Sequence, residues 1–161
     1  MLETLIKYFV YGTKGHITKT QLINFLYLAD LYSVKWTAKQ LTDLDWFYDH
    51  NNLKNEKIDE ILNKLNNQEI MQELQNNTIL IRLGNKPGTI EDLDLSLSLK
   101  LILDNIRREW AGSGKERLQN LLEYVKNTAP IMEVKNMDTN QTQRQLNLHQ
   151  ERERLLNELE F

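Results

Sequence analysis

The chain has 161 residues, 40% hydrophobic and 27% charged, with a formal net charge of −3, and a chain of that length can bury roughly 68–70% of its extended surface in one core. Six glycines and two prolines argue against an all-β sandwich, and zero cysteines exclude disulfides, thiolate metal sites, iron–sulfur clusters and cysteine nucleophiles. A net acidic chain also lacks the basic excess of a phosphate-binding footprint, so nucleic acid is not an expected partner.

Glu3 stands beside the first apolar residues, no small-residue cleavage site follows, and no apolar run approaches the ~18 residues of a membrane span. A cytoplasmic protein without membrane contact is the expectation. Leu2, Leu5, Ile6, Phe9 and Val10 recur at helical spacing and predict a helix over 2–11, ended by Gly12 to Gly15. Thr18-Lys-Thr-Gln21 has the form of a capping box. It opens a second helix whose Leu22, Ile23, Leu26, Tyr27, Ala29 and Leu31 run to about Val34, an apolar face broad enough for the centre of a core.

Residues 44–49 are aromatic, poor in helix formers and followed by Asn51-Asn52, so they predict a strand. Ile58, Ile61, Leu62 and Leu65 predict a helix over 54–66, and Ile70, Met71 and Leu74 a short further one. Thr78-Ile-Leu-Ile-Arg-Leu83 is the clearest strand, closed by a Pro/Gly turn at 84–88. The segment 44–49 is its expected partner.

Leu95, Leu99, Ile102, Leu103 and Ile106 predict a helix to Trp110, with Glu91, Asp92 and Asp94 near its positive end. Leu118, Leu121, Leu122 and Val125 predict another, stopped before Pro130, which opens a final turn. The stretch 136–145 is rich in Asn and Gln and reads as a polar tether. Leu146, Leu148, Leu155, Leu156, Leu159 and Phe161 then form one stripe of a helix over 146–161, too short to be stable unless it docks. The fold class is mainly α with a small antiparallel β-hairpin element: a globular domain over 1–135, the tether, and a C-terminal amphipathic helix.

Asp43, Asp45, Asp49 and His50 are the only tempting polar constellation. On an extended segment Asp45 and Asp49 lie roughly 13 Å apart and cannot share a cation. His16 and His149 have no second ligand at a useful spacing, Lys86 lacks the Ser or Thr of a phosphate-binding loop, and no Gly-x-Ser-x-Gly elbow occurs. No metal, cofactor or catalytic residue is expected, and the chain reads as a non-enzyme. Tyr32, Trp36, Trp46, Phe47 and Tyr48 read as filling the core between the second helix and the hairpin, which alternation along a strand allows for about half of the strand's members. If Trp46 and Tyr48 point in, Phe47 points out, and one side of the strand is a candidate contact surface.

The run Ile17-Thr-Lys-Thr-Gln-Leu-Ile-Asn-Phe-Leu-Tyr-Leu-Ala-Asp-Leu-Tyr32 resembles the opening of the Panacea domain, the antitoxin family that includes SocA-like and phage-associated proteins. Leu41-Thr42 followed by Trp46-Phe-Tyr48 is similar to the family's Leu-Thr and Trp-x-Tyr-Gly-Pro-Val passage, with Asp49-His50-Asn51 in place of Gly-Pro-Val. Leu121-Leu-Glu-Tyr-Val-Lys-Asn-Thr-Ala-Pro130 is similar to its closing segment. The likeness covers residues 1–135. It implies a mainly helical domain with a small β element that neutralises a toxin encoded beside it by direct protein–protein binding. Partner-binding residues are then expected at Trp46, Phe47, Tyr48 and His50, and on the tail helix at Leu155, Leu156, Leu159 and Phe161, packing on the cognate toxin or on a second copy of the chain. The alternative is a winged-helix-like DNA-binding transcriptional regulator with 54–66 as recognition helix, whose Lys54, Lys57 and Lys64 are offset by Glu56, Asp59 and Glu60.

Overall fold

The structure, a computed structural model, describes residues 1–50, 52–112, 114–136 and 143–160. Helix α1 spans Leu2–Gly12 and ends where the Thr13 hydroxyl donates to the Phe9 carbonyl at 2.8 Å. The chain reverses through Lys14 and Gly15 at positive φ. A Cβ on Gly15 would stand 2.6 Å from the Leu83 backbone nitrogen, so only glycine lets this turn lie against the neighbouring strand. A two-residue strand β1, Ile17–Thr18, leads into α2, Lys19–Thr37.

The capping box is present as expected: the Gln21 N–H donates to the Thr18 hydroxyl at 3.1 Å and the Gln21 amide oxygen accepts the Thr18 N–H at 3.0 Å. Helix α2 is the centre of the core, buried at Leu22, Phe25, Leu26, Leu28 and Ala29 alike, with α1, the later helices over 97–110, 115–126 and 149–159 and the strand over 78–83 packed around it. It runs one turn past the predicted end and stops at Ala38, whose φ of 65° breaks the helical path.

Two small sheets flank it. The first has strand order β1-β5-β4, with β4 at Ile70–Gln75 and β5 at Thr78–Leu83. Residues 70–74 are therefore a strand and not the predicted short helix. Asn76 and Asn77 both take positive φ, which makes a two-residue turn whose twist suits a hairpin, and β5 finds its partner locally at Gln75 opposite Thr78. The expected pairing of 44–49 with 78–83 does not occur. Instead β2, Phe47–Asp49, lies between β3, Asn52–Lys54, and β6, Gln143–Gln145. Helix α3, Glu56–Leu65, is capped by the Asn55 side chain and packs on β4.

Helix α4 spans Leu97–Trp110 and is capped by Ser96; the acids expected at its start lie earlier, where Asp92 closes a short 3-10 turn with Thr89. Helices α5, Lys115–Lys126, and α6, Ala129–Lys135, follow as predicted, and α7 spans His149–Leu159. The fold class is α+β, mainly helical with small antiparallel sheets.

The predicted tether needs correction at its end. Residues 143–145 are a strand, because an edge position requires main-chain hydrogen bonds that any residue can supply, and no side-chain pattern announces it. Leu146 and Leu148 are buried directly after it, and α7 packs on α2 and α6 of its own chain. Residues 137–142 of the tether lie outside the described residues.

Candidate partner surface

One buried carboxylate organises the region in which sequence placed the contact residues. Asp30, on α2, accepts from the backbone N–H groups of Leu41 and Thr42 at 3.1 and 2.9 Å through Oδ1. Its Oδ2 accepts from the Thr42 hydroxyl, from Trp46 Nε1 at 2.9 Å and from Gln40 Nε2 at 3.2 Å. Five donors fold the 38–46 segment around one acceptor-only group. Burial pushes the Asp30 carboxyl up from its ordinary value, and the Thr42 and Trp46 donors pull it part of the way back.

This arrangement removes Trp46 from the surface. Its indole is 1% exposed and stacks edge-on against Tyr27 with ring centroids 5.6 Å apart. Tyr48 is also buried, whereas Phe47 is half-buried and lines a shallow depression with Lys54 and Lys57. Of the strand's aromatics, Phe47 alone reaches a surface. With β3 and β6 on either side of β2, neither of its edges is open to a partner strand. His50 is exposed beyond the strand, its Nε2 3.2 Å from Asp49, whose other oxygen meets Lys54 at 3.3 Å. Asp45 accepts from Gln145 and Asp43 lies 3.8 Å from Lys57, so the four residues do not converge on one point.

The tail residues divide in the same way. Glu151 is 3% exposed: Oε2 accepts the Ala129 N–H at 2.8 Å and Oε1 pairs with Arg154. Arg152 donates to the Lys35 carbonyl at 2.9 Å and Arg154 to the Asn127 carbonyl at 3.1 Å. These bonds fix α7 across the ends of α2 and α5. Leu155 is half-buried beneath it, while Leu156 and Leu159 are exposed. Phe161 lies outside the described residues.

A second surface escaped the sequence reading. Trp36, expected in the core, is 62% exposed at the end of α2, with the Lys35 ammonium 5.5 Å from its ring centroid. Trp36, Tyr32, Ile102, Asn105, Arg108 and Tyr124 line a groove of 560 Å³ between α2, α4 and α5. The Tyr32 hydroxyl donates to the Tyr124 hydroxyl at 3.0 Å, and Trp110 packs on Tyr124 with centroids 5.2 Å apart. Leu101 and Leu97, one and two turns before Asn105 on the same flank of α4, extend the apolar strip into solvent. Leu97 and Leu101 fall outside the α4 core stripe, and apolar residues off that stripe were the signal available in sequence.

No protein-family model matches the chain, and no curated protein and no solved structure matches it either. Among the described residues no group of three or more His, Asp or Glu could hold a metal ion, and no helix is long and apolar enough to cross a membrane.

Proposed function

We propose that the protein is a divergent Panacea-type antitoxin that neutralises a protein toxin in the cytoplasm by direct binding and not by catalysis. The observation that carries this reading is the exposed strip of Trp36, Leu97, Leu101 and Tyr124, since large aromatic and aliphatic side chains held rigidly in solvent are typical anchors of protein interfaces. The geometry around Asp30 adds support, because two of the three phrases on which the resemblance rests meet there: Asp30 of the first accepts from Leu41, Thr42 and Trp46 of the second.

DNA binding draws less support. Lys57 and Lys64 of α3 are paired with Asp43 and Glu3, Lys54 with Asp49, and Lys19 with Asp59, which leaves that face little net positive charge for phosphate. The test is co-expression with the product of the adjacent reading frame. Growth rescue together with co-purification supports the reading. A neighbour that is harmless alone and does not co-purify overturns it.

A further inference from the structure

A second cleft, of 510 Å³, opens elsewhere on the molecule, over the face of β5 that carries Thr78, Leu80 and Arg82 and beside the first turns of α2 and α5. Its apolar floor is Ile17, Leu80 and Leu118, and its basic side chains are His16, Arg82 and Lys115. Among the described residues no carboxylate lines it, in a chain with 23 acidic residues against 20 Lys and Arg. Arg82 pairs with Glu73 across the hairpin at 3.4 Å, and Lys115 has no ion pair among the described residues.

Strand β1 is short beside the cleft for a local reason. Thr18 is the last residue of β1 because it becomes the cap of α2, so β1 pairs with β5 only at Ile81 and Leu80. Among the described residues no strand follows β1 beside Thr78 and Ile79, and Thr78 lines the cleft. Across from them the Gly112 carbonyl is tied to Gln21, and a side chain on Gly114 would meet nothing within 4 Å. Gly112 and Gly114 therefore place no side chain of their own in the cleft on the α5 side.

We propose that this cleft binds an extended peptide segment of a partner protein in which apolar side chains alternate with carboxylates. Thr78, Leu80 and Arg82 share one face of β5, so the segment lies across that face, its apolar side chains entering between Leu80 and Leu118 and its carboxylates reaching His16, Arg82 and Lys115 at the rim. The assignment rests on the shape and charge of the cleft and stands apart from the antitoxin reading.

The experiment titrates the full chain with the acetylated, amidated peptide Glu-Leu-Glu-Val-Glu and follows backbone amide resonances, with Lys-Leu-Lys-Val-Lys and sodium octanoate as parallel arms. The acidic peptide is expected to shift Thr78, Leu80 and Gly114 selectively. Lys115→Glu combined with His16→Glu is expected to weaken it at least about tenfold. Both positions are exposed, and an acid in the first turn of α5 favours the helix, so the amide spectrum away from the cleft stays in place. No shift with the acidic peptide, equal binding of the lysine peptide, shifts at these amides with octanoate alone, or unchanged affinity in the variant would each overturn the proposal.

Discussion

Glu151 Oε2 accepts the backbone N–H of Ala129 at 2.8 Å, so a carboxylate from the last helix caps the start of α6. The cap residue of α6, Thr128, makes no such bond: its hydroxyl donates to the Val125 carbonyl at 2.6 Å and meets the Tyr27 hydroxyl at 2.8 Å. Glu151→Ala leaves a helix N-terminal donor without its partner and Arg154 without its carboxylate, at a cost of about 1–3 kcal/mol. Urea unfolding should show that loss. Glu151→Gln keeps an acceptor for Ala129 and should recover part of it.

The same bonds change what deletion of the tail can reveal. Removing 136–161 takes away β6, leaves one edge of β2 open and strips Leu146 and Leu148 from the core. Loss of partner binding by such a fragment would report damage to the fold. Leu156→Ser and Leu159→Ser alter only exposed positions and should change stability by no more than about 0.5 kcal/mol. Weakened toxin binding in these full-length variants, with unchanged unfolding midpoints, would place the tail helix in the interface.

Asp30→Asn turns an amide with two N–H donors toward a site where five other donors already converge. The expected destabilisation is about 2–4 kcal/mol, because buried donors lose their acceptor. Burial raises the Asp30 carboxyl above its ordinary 3.8, so over the interval from 3.8 up to its folded value the native state holds the proton more firmly than the unfolded chain. Stability from this group therefore falls as pH rises through that interval and is level above it. The asparagine variant lacks this slope, so its deficit relative to the native chain should be larger near pH 4 than at neutrality in parallel denaturation series.

Gly15→Ala addresses the join between α1 and β5. A φ of +73° disfavours any side chain, and the added Cβ would lie 2.6 Å from the Leu83 nitrogen. Backbone cannot yield as a flexible side chain would, so a loss of at least about 2 kcal/mol is expected in thermal unfolding.

Elements whose signal is local were legible in the sequence. Thr18 and Gln21 announce α2 within four residues, and the apolar stripes of α1, α3, α4 and α5 have the helical period. What depends on distant partners was not. Trp46 is held inside by Asp30, sixteen residues earlier, and β6 has no apolar pattern because β2 supplies its hydrogen bonds from a hundred residues away. Ile70, Met71 and Leu74 fit a helix as well as a strand, and the Asn76-Asn77 turn decides between them. The aromatic cluster was recognised as a group, and the strand alternation puts Trp46 and Tyr48 in and Phe47 out, but Trp36, expected in the core, is exposed, while Trp46, expected also at the partner surface, is covered.

That inversion yields the sharpest test of the proposed function. Trp36 is 62% exposed, Leu97 76% and Leu101 53%, so each already spends the native state largely in water. Trp36→Ser and Leu101→Ser therefore remove little buried apolar area and should shift stability by no more than about 0.5 kcal/mol each. At a protein interface the same truncations leave an anchor pocket unfilled, at a cost of about 2 kcal/mol or more for a tryptophan, roughly thirtyfold in affinity. Trp46→Phe is the control: it removes the 2.9 Å bond to Asp30 and should destabilise the fold by about 1–3 kcal/mol, without altering toxin affinity at temperatures where the variant stays folded. Titration calorimetry with the toxin, beside urea unfolding of each variant, separates the two roles. Unchanged affinity in Trp36→Ser and Leu101→Ser would remove this groove from the partner surface.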